Sequence, residues 1–136
     1  MPSKTRHDAR LVRQVIVAAM KNWSNLDAEA NRVYYTSSTR AVFFDFTPMQ
    51  YVGWDTYMNE IKKVQESIKQ FKITLNDDLI VEVRGTMAYA HGTWRMNFVF
   101  TNGSRRRLSG RLTEILEKQI GKWKIVHEHA SVPTPN

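Results

Sequence analysis

Residues 72–132, KITLNDDLIVEVRGTMAYAHGTWRMNFVFTNGSRRRLSGRLTEILEKQIGKWKIVHEHASV, decide the fold. Apolar and polar residues alternate along this stretch, the period-two mark of half-buried strands. Gly85, the dipeptide Asn102-Gly103 and Gly121 divide it into four strands, Lys72–Arg84, Thr86–Thr101, Ser104–Lys118 and Lys122–Val132. Asn-Gly favours the left-handed backbone of a tight hairpin, and connections this short make neighbouring strands antiparallel.

Upstream of the meander the period changes to that of helices. Leu11, Val12, Val15, Ile16, Ala19, Met20 and Trp23 recur at helical spacing, which predicts an amphipathic helix of about 15 residues. Ser24 and Asn25, with Asp27 in the first turn, open a second helix whose buried stripe is Leu26, Ala30, Val33 and Tyr34. Thr36-Ser37-Ser38-Thr39 ends it. Ala41 to Phe46 is a short strand interrupted by Asp45 and closed by Pro48. After Gly53 a third helix is expected on Tyr57, Ile61, Val64, Ile68 and Phe71. The order predicts an α+β fold, three helices on one side of a strongly curved antiparallel sheet. Its concave face stays partly open as a blind apolar cavity, the usual place for a small ligand. No repeat or linker interrupts residues 1–136, so they read as one domain, with 133–136 a loose tail.

Composition narrows the function classes. At 42% hydrophobic and 24% charged the chain is ordinary globular protein, and no apolar run approaches the roughly 18 residues of a membrane span. The basic start, Met1 to His7, leads into a mixed-polarity helix rather than a signal-peptide core. With no cysteine there is no disulfide or thiolate chemistry, which fits the cytoplasm. The net charge of +7 is dispersed apart from Arg105-Arg106-Arg107. No nucleic-acid-binding pattern accompanies it, so neither nucleic acid nor membrane is expected as a partner. The chain has no glycine-rich phosphate loop and no nucleophile elbow, so no nucleotide cofactor is expected.

Asn25-Leu26-Asp27-Ala28, then Ala41-Val42-Phe43-Phe44-Asp45 with Pro48 and Gly53 following, resembles the front half of SnoaL-like domains. The ending Gly121-Lys122-Trp123-Lys124-Ile125-Val126-His127-Glu128-His129-Ala130-Ser131-Val132-Pro133 resembles the last strand of the SnoaL-like 3 group and of the calmodulin-dependent kinase association domain. Arg111-Leu112-Thr113 on the preceding strand fits the same group. The resemblance implies a cone-shaped nuclear transport factor 2-like (cystatin-like) fold, commonly dimeric, with a pocket at the wide end. It implies no single reaction, because relatives include ketosteroid isomerases, polyketide cyclases and dehydratases as well as binding and assembly domains.

Asp45 is the sharpest candidate for chemistry. It sits between Phe44 and Phe46, where a carboxylate must be paired or shifted in pKa, and by resemblance it falls on the general-base aspartate of the ketosteroid isomerases. The plainer reading is a strand-end aspartate that caps the next turn through Thr47. The isomerases' two oxyanion donors fall near Val17 and Thr113, so that activity is not carried over. His127 and His129 share a strand face. They are candidates for proton transfer, too few for a metal, and equally read as structural hydrogen-bonding residues. Arg111 and Thr113 also share one strand face and are candidate ligand contacts, the arginine toward Asp45 or an acidic ligand group, beside the reading of a strand-edge surface arginine like Arg105 to Arg107. Tyr34, Trp54 and Tyr57 are aromatic candidates for the pocket wall, beside the reading that they are only core.

These residues suggest a small-molecule-binding SnoaL-like protein with a hydrophobic pocket. The alternatives are a cofactor-independent lyase, isomerase or polyketide-cyclase-like enzyme with an aspartate base, or a non-catalytic association domain. A homodimer is expected, on the grounds that Trp94, Met96, Phe98 and Phe100 share a strand face that the helices leave uncovered.

Overall fold

The computed structural model describes residues 3–135. Helix α1 (Ser3–Ser24) buries one stripe, Asp8, Val12, Ile16, Ala19, Met20 and Trp23. It starts before the apolar pattern does, because Asp8 belongs to the stripe. Its carboxylate accepts hydrogen bonds from Lys118 Nζ at 3.0 Å and Trp123 Nε1 at 3.2 Å, the pairing a buried charge requires.

The second expected helix does not form. Leu26 turns left-handed at φ 56°, and only a five-residue 3-10 turn, Glu29–Val33, follows. Asn31 sets its geometry. The Nδ2 group of Asn31 donates to Ala19 O at 3.1 Å and its Oδ1 accepts from Asn22 Nδ2 at 2.9 Å. This polar pin to α1 buries Ala28, Asn31 and Tyr35 and turns Val33 outward, 60% exposed.

Strands β1 (Val42–Phe44) and β2 (Tyr51–Val52) precede helix α2 (Trp54–Gln65). At the entry to α2, Gly53 takes φ 84° and donates its N–H to Ala41 O at 2.6 Å. The helix stops at Gln65. Ile68 and Phe71, expected on it, belong to β3 (Ile68–Leu75). The expected strand Lys72–Arg84 is likewise two, broken where Asp78 accepts the Thr93 N–H at 2.9 Å. Its second part is β4 (Ile80–Arg84). Both pair antiparallel with the long β5 (Met87–Phe100), β3 along its C-terminal half and β4 along its N-terminal half.

With β6 (Arg105–Gln119) and β7 (Lys122–Ser131) the sheet has seven strands in the order β2-β1-β7-β6-β5-β3, with β4 also on β5. Every pairing is antiparallel except β1 with β7. The fold is a curved open α+β sheet covered by two α-helices and a 3-10 turn, where three helices were expected. Residues 132–135 are exposed and irregular. Met1, Pro2 and Asn136, parts of the basic start and the tail, lie outside the described residues. Among those described, no helix is long and apolar enough to cross a membrane.

Strict alternation sets the sheet's two faces. Ala88, Ala90, Trp94 and Met96 of β5 and Leu112, Glu114 and Leu116 of β6 point inward and are buried. Trp94, Met96 and Phe98 therefore belong to the covered concave face, which removes the stated ground for a dimer. Helices packed across the sheet cover them, a tertiary contact that strand periodicity does not report.

Ile120 and Gly121 join β6 to β7 with φ 50° and 76°. A β-branched side chain in this left-handed region is strained, and Ile120 is fully exposed, so no packing offsets the strain. Ile120→Asn is expected to stabilise the protein by about 1 kcal/mol, seen as a higher urea midpoint at unchanged slope. A lower midpoint would show that Ile120 makes a contact worth more than its strain.

Candidate functional site

A cavity of about 130 Å³ lies between the concave face and the helices. Met20 and Trp23 of α1, Ile61 of α2, Phe71 of β3 and Met96 of β5 contribute to an almost wholly apolar wall. Phe46 and Val64 also line it and are 41% and 51% exposed, so the cavity reaches the surface between them. Trp94 supplies part of the floor. Its six-membered ring occupies the place a Cβ on Gly110 would take, so only glycine at position 110 admits the indole.

The polar groups gather at one end. Asp45 continues the alternation of β1 inward from buried Phe43, beside Glu128 of β7. Glu128 is 3% exposed and each of its oxygens accepts a phenol hydrogen bond, Oε1 from Tyr35 and Oε2 from Tyr57, both at 2.6 Å. The Tyr57 hydroxyl also lies 3.5 Å from Asp45 Oδ2, so it stands between the two carboxyl groups. Asp45 Oδ1 accepts the Phe46 N–H at 2.8 Å. Directly across from Glu128 on β6 is Glu114, fully buried. The aromatic set tightens this end: Tyr35 stacks on Trp54 at 4.4 Å and Phe43 on Tyr57 at 4.9 Å.

Burial and then the charge of Glu128 raise the Asp45 carboxyl to about 7, against a smaller opposing pull from the Phe46 N–H and Tyr57. The same two causes hold Glu114 well above the usual carboxylate range. They also push the Tyr35 and Tyr57 phenols far upward, so both remain donors. The site has one carboxyl group poised to gain or lose a proton near neutral pH, linked through a hydroxyl to a second.

The structure brings together only two of the residues expected in the site, Asp45 and Tyr57. Trp54 is core beneath Tyr35, and Tyr34 packs at the edge of the core outside the cavity. Arg111 and Thr113 lie on the outer face of β6, exposed, with Arg111 Nε donating to Ser131 Oγ at 3.0 Å. Arg111 therefore cannot pair with Asp45 across the sheet.

His127 and His129 are also outside. His127 Nδ1 is bonded to Val42 O at 2.6 Å, and both rings stand edge-on to Phe44. The cause is a bulge. Ile115 pairs with His127 but Leu116 pairs with Ile125, so Val126 is an extra residue. Trp123 and Ile125 point inward before it, Glu128 and Ala130 after it. Without the bulge the histidines would face the cavity and Glu128 the solvent. Glu128, Glu114 and Tyr35 were the residues missed. Glu114 alone left a trace, lying between Leu112 and Leu116 on the buried parity of β6.

The curved sheet, covering helices and apolar cavity make a nuclear transport factor 2-like fold. The profile of the SnoaL-like domain family matches residues 12–135, and the chain belongs to that family. No curated protein matches the sequence. Among solved structures, a nuclear transport factor 2-like superfamily protein from Salmonella enterica serovar Typhimurium superposes with TM-score 0.89 at 20% identity, over 97% of this chain and 95% of its own. A candidate scytalone dehydratase from Novosphingobium aromaticivorans gives 0.85 at 12% identity, over 98% and 89%. A candidate calcium/calmodulin-dependent protein kinase II association domain from Xanthomonas campestris gives 0.77 at 16% identity, over 92% and 87%.

The environment of Asp45 has a definite consequence for stability. Its folded value, about 7, lies above its ordinary 3.8. Well below pH 3.8 the group is protonated in both states and costs nothing. Between about 4 and 7 the unfolded chain ionises first, so stability is lost progressively until pH passes the folded value. Asn does not titrate. Asp45→Asn is expected to match wild type near pH 4 and to exceed it by about 2 kcal/mol at pH 8, discounted for water at the cavity mouth. Chemical denaturation at the two pH values measures this; a variant less stable at pH 8 would mean that Asp45 is held by favourable partners.

Proposed function

We propose that the chain binds a ring-sized, largely apolar small molecule in the cavity and transfers a proton on it, with Asp45 as the base. The observation that carries this reading is the placement of Asp45: a carboxyl group beside an apolar cavity, able to take a proton at neutral pH. A base of that strength in a partly dehydrated site suits abstraction of a proton next to a carbonyl, the first step of lyase, isomerase and ring-closing chemistry. Tyr57, within reach of both carboxyl groups, serves as the hydrogen-bonding partner of the group that has taken the proton. The similarity to a candidate dehydratase agrees with this class of reaction and does not select within it.

Pairing of two chains belongs to the same proposal on a changed basis. The outer sheet face, not the cavity face, presents Ile80 and Tyr89 exposed, Ile80 in register with His91, Thr113 and His129 and Tyr89 with Ile115 and His127. Light scattering at tens of micromolar should give twice the chain mass; a monomer mass removes the pairing.

5-Nitrobenzisoxazole tests the base. It is a small aromatic carbon acid that releases a coloured phenolate when a carboxylate removes its ring proton. The protein is expected to accelerate this elimination roughly 10²-fold over Asp45→Asn, with a rate that rises as pH passes about 7. Equal rates for the two proteins would eliminate Asp45 as a base.

A further inference from the structure

We propose that the ligand of this cavity is a protonated amine, one ring in size. The inference rests on the cavity being a small-molecule site and adds the ligand's charge and size. The chain has 20 Lys and Arg against 13 Asp and Glu, yet no Lys, Arg or His lines the cavity, whose ionisable lining residues besides Tyr57 are the acids Asp45 and Glu128. The cations lie elsewhere: Arg95, Arg105, Arg107 and Arg111 are exposed on the outer face of β5 and β6.

Charge complementarity follows from this separation. A carboxylate or phosphate ligand would enter beside Glu128 with no counter-charge, a cost that a site of low dielectric magnifies. An ammonium group supplies the counter-charge the acids lack. Each Glu128 oxygen accepts one phenol and retains a lone pair for a further donor. The aromatic faces of Trp23, Phe46, Tyr57 and Trp94 around the cavity attract a cation as well.

Size completes the description: about 130 Å³ is close to the ~150 Å³ that takes up benzene in an engineered cavity, room for one six-membered ring with a short side arm.

The test uses three compounds of one shape: 2-amino-1-phenylethanol, 1-phenylethanol and mandelate, titrated calorimetrically into the wild-type protein at pH 8. The amino alcohol should bind at least tenfold more tightly than 1-phenylethanol, and mandelate should not bind measurably. Glu128→Gln should bring the amino alcohol to within threefold of the alcohol while leaving the alcohol's own affinity in place. If that variant does not fold, Asp45→Asn, isosteric and near the mouth, gives the same reading. Alcohol binding as tight as amine binding, or tighter mandelate binding, overturns the charge inference and leaves the cavity reading standing. Failure of all three to bind overturns both.

Discussion

The structure depends on how Glu128 is held. A carboxylate on the inner face of a central strand is tolerable only with its oxygens occupied. Here the occupants come from two separate places, Tyr35 just after the 3-10 turn and Tyr57 on α2. Three parts of the chain, more than 90 residues apart at the extremes, are thus fastened to one group. Trp23 of α1 joins them by donating to the Tyr35 hydroxyl at 3.3 Å. Removing either tyrosine would leave a buried acid with one oxygen bare, a larger loss than that of a single neutral hydrogen bond.

The cavity is a consequence of the same arrangement. The helices cannot settle onto the whole concave face, because α1 and α2 are anchored where the aromatic cluster and Glu128 lie. Small residues on the inner rows, Ala88, Ala90 and Gly110 among them, let the helices and the Trp94 indole come close at the packed end. Larger side chains, Phe71, Met96 and Phe98, ring the remaining space. Apolar space with carboxyl groups at one side has properties neither would have alone: the wall removes water and the acids lose their charge or seek a cation.

A shared fold can host many unrelated functions, so the shape of the sheet decides little about activity. Charge is divided within this chain: no Lys, Arg or His lines the cavity, while the carboxyl groups of Asp45 and Glu128 do. The structure also explains why the histidines, chemically the most suggestive residues near the C-terminus, are bystanders. They brace Phe44 and the Val42 carbonyl on the outer face, where they secure the parallel pairing of β1 to β7.

The sequence by itself determined the class of fold, the meander with its Asn102-Gly103 and Gly121 turns, and the α1 stripe, and it singled out Asp45 without deciding which way it faces. All are local: alternation, helical spacing and turn chemistry act between residues a few positions apart. The end of α2, the break in the strand after Leu75 and the missing second helix were decided by distant partners, Thr93 for Asp78 and Ala19 for Asn31. The composition of the site was tertiary too. One additional residue at Val126 reversed the parity of β7, exchanging His127 and His129 for Glu128, and a bulge is visible only when its neighbouring strand is in place. Periodicity specifies which residues alternate; the register of the partner strand decides which set faces the cavity.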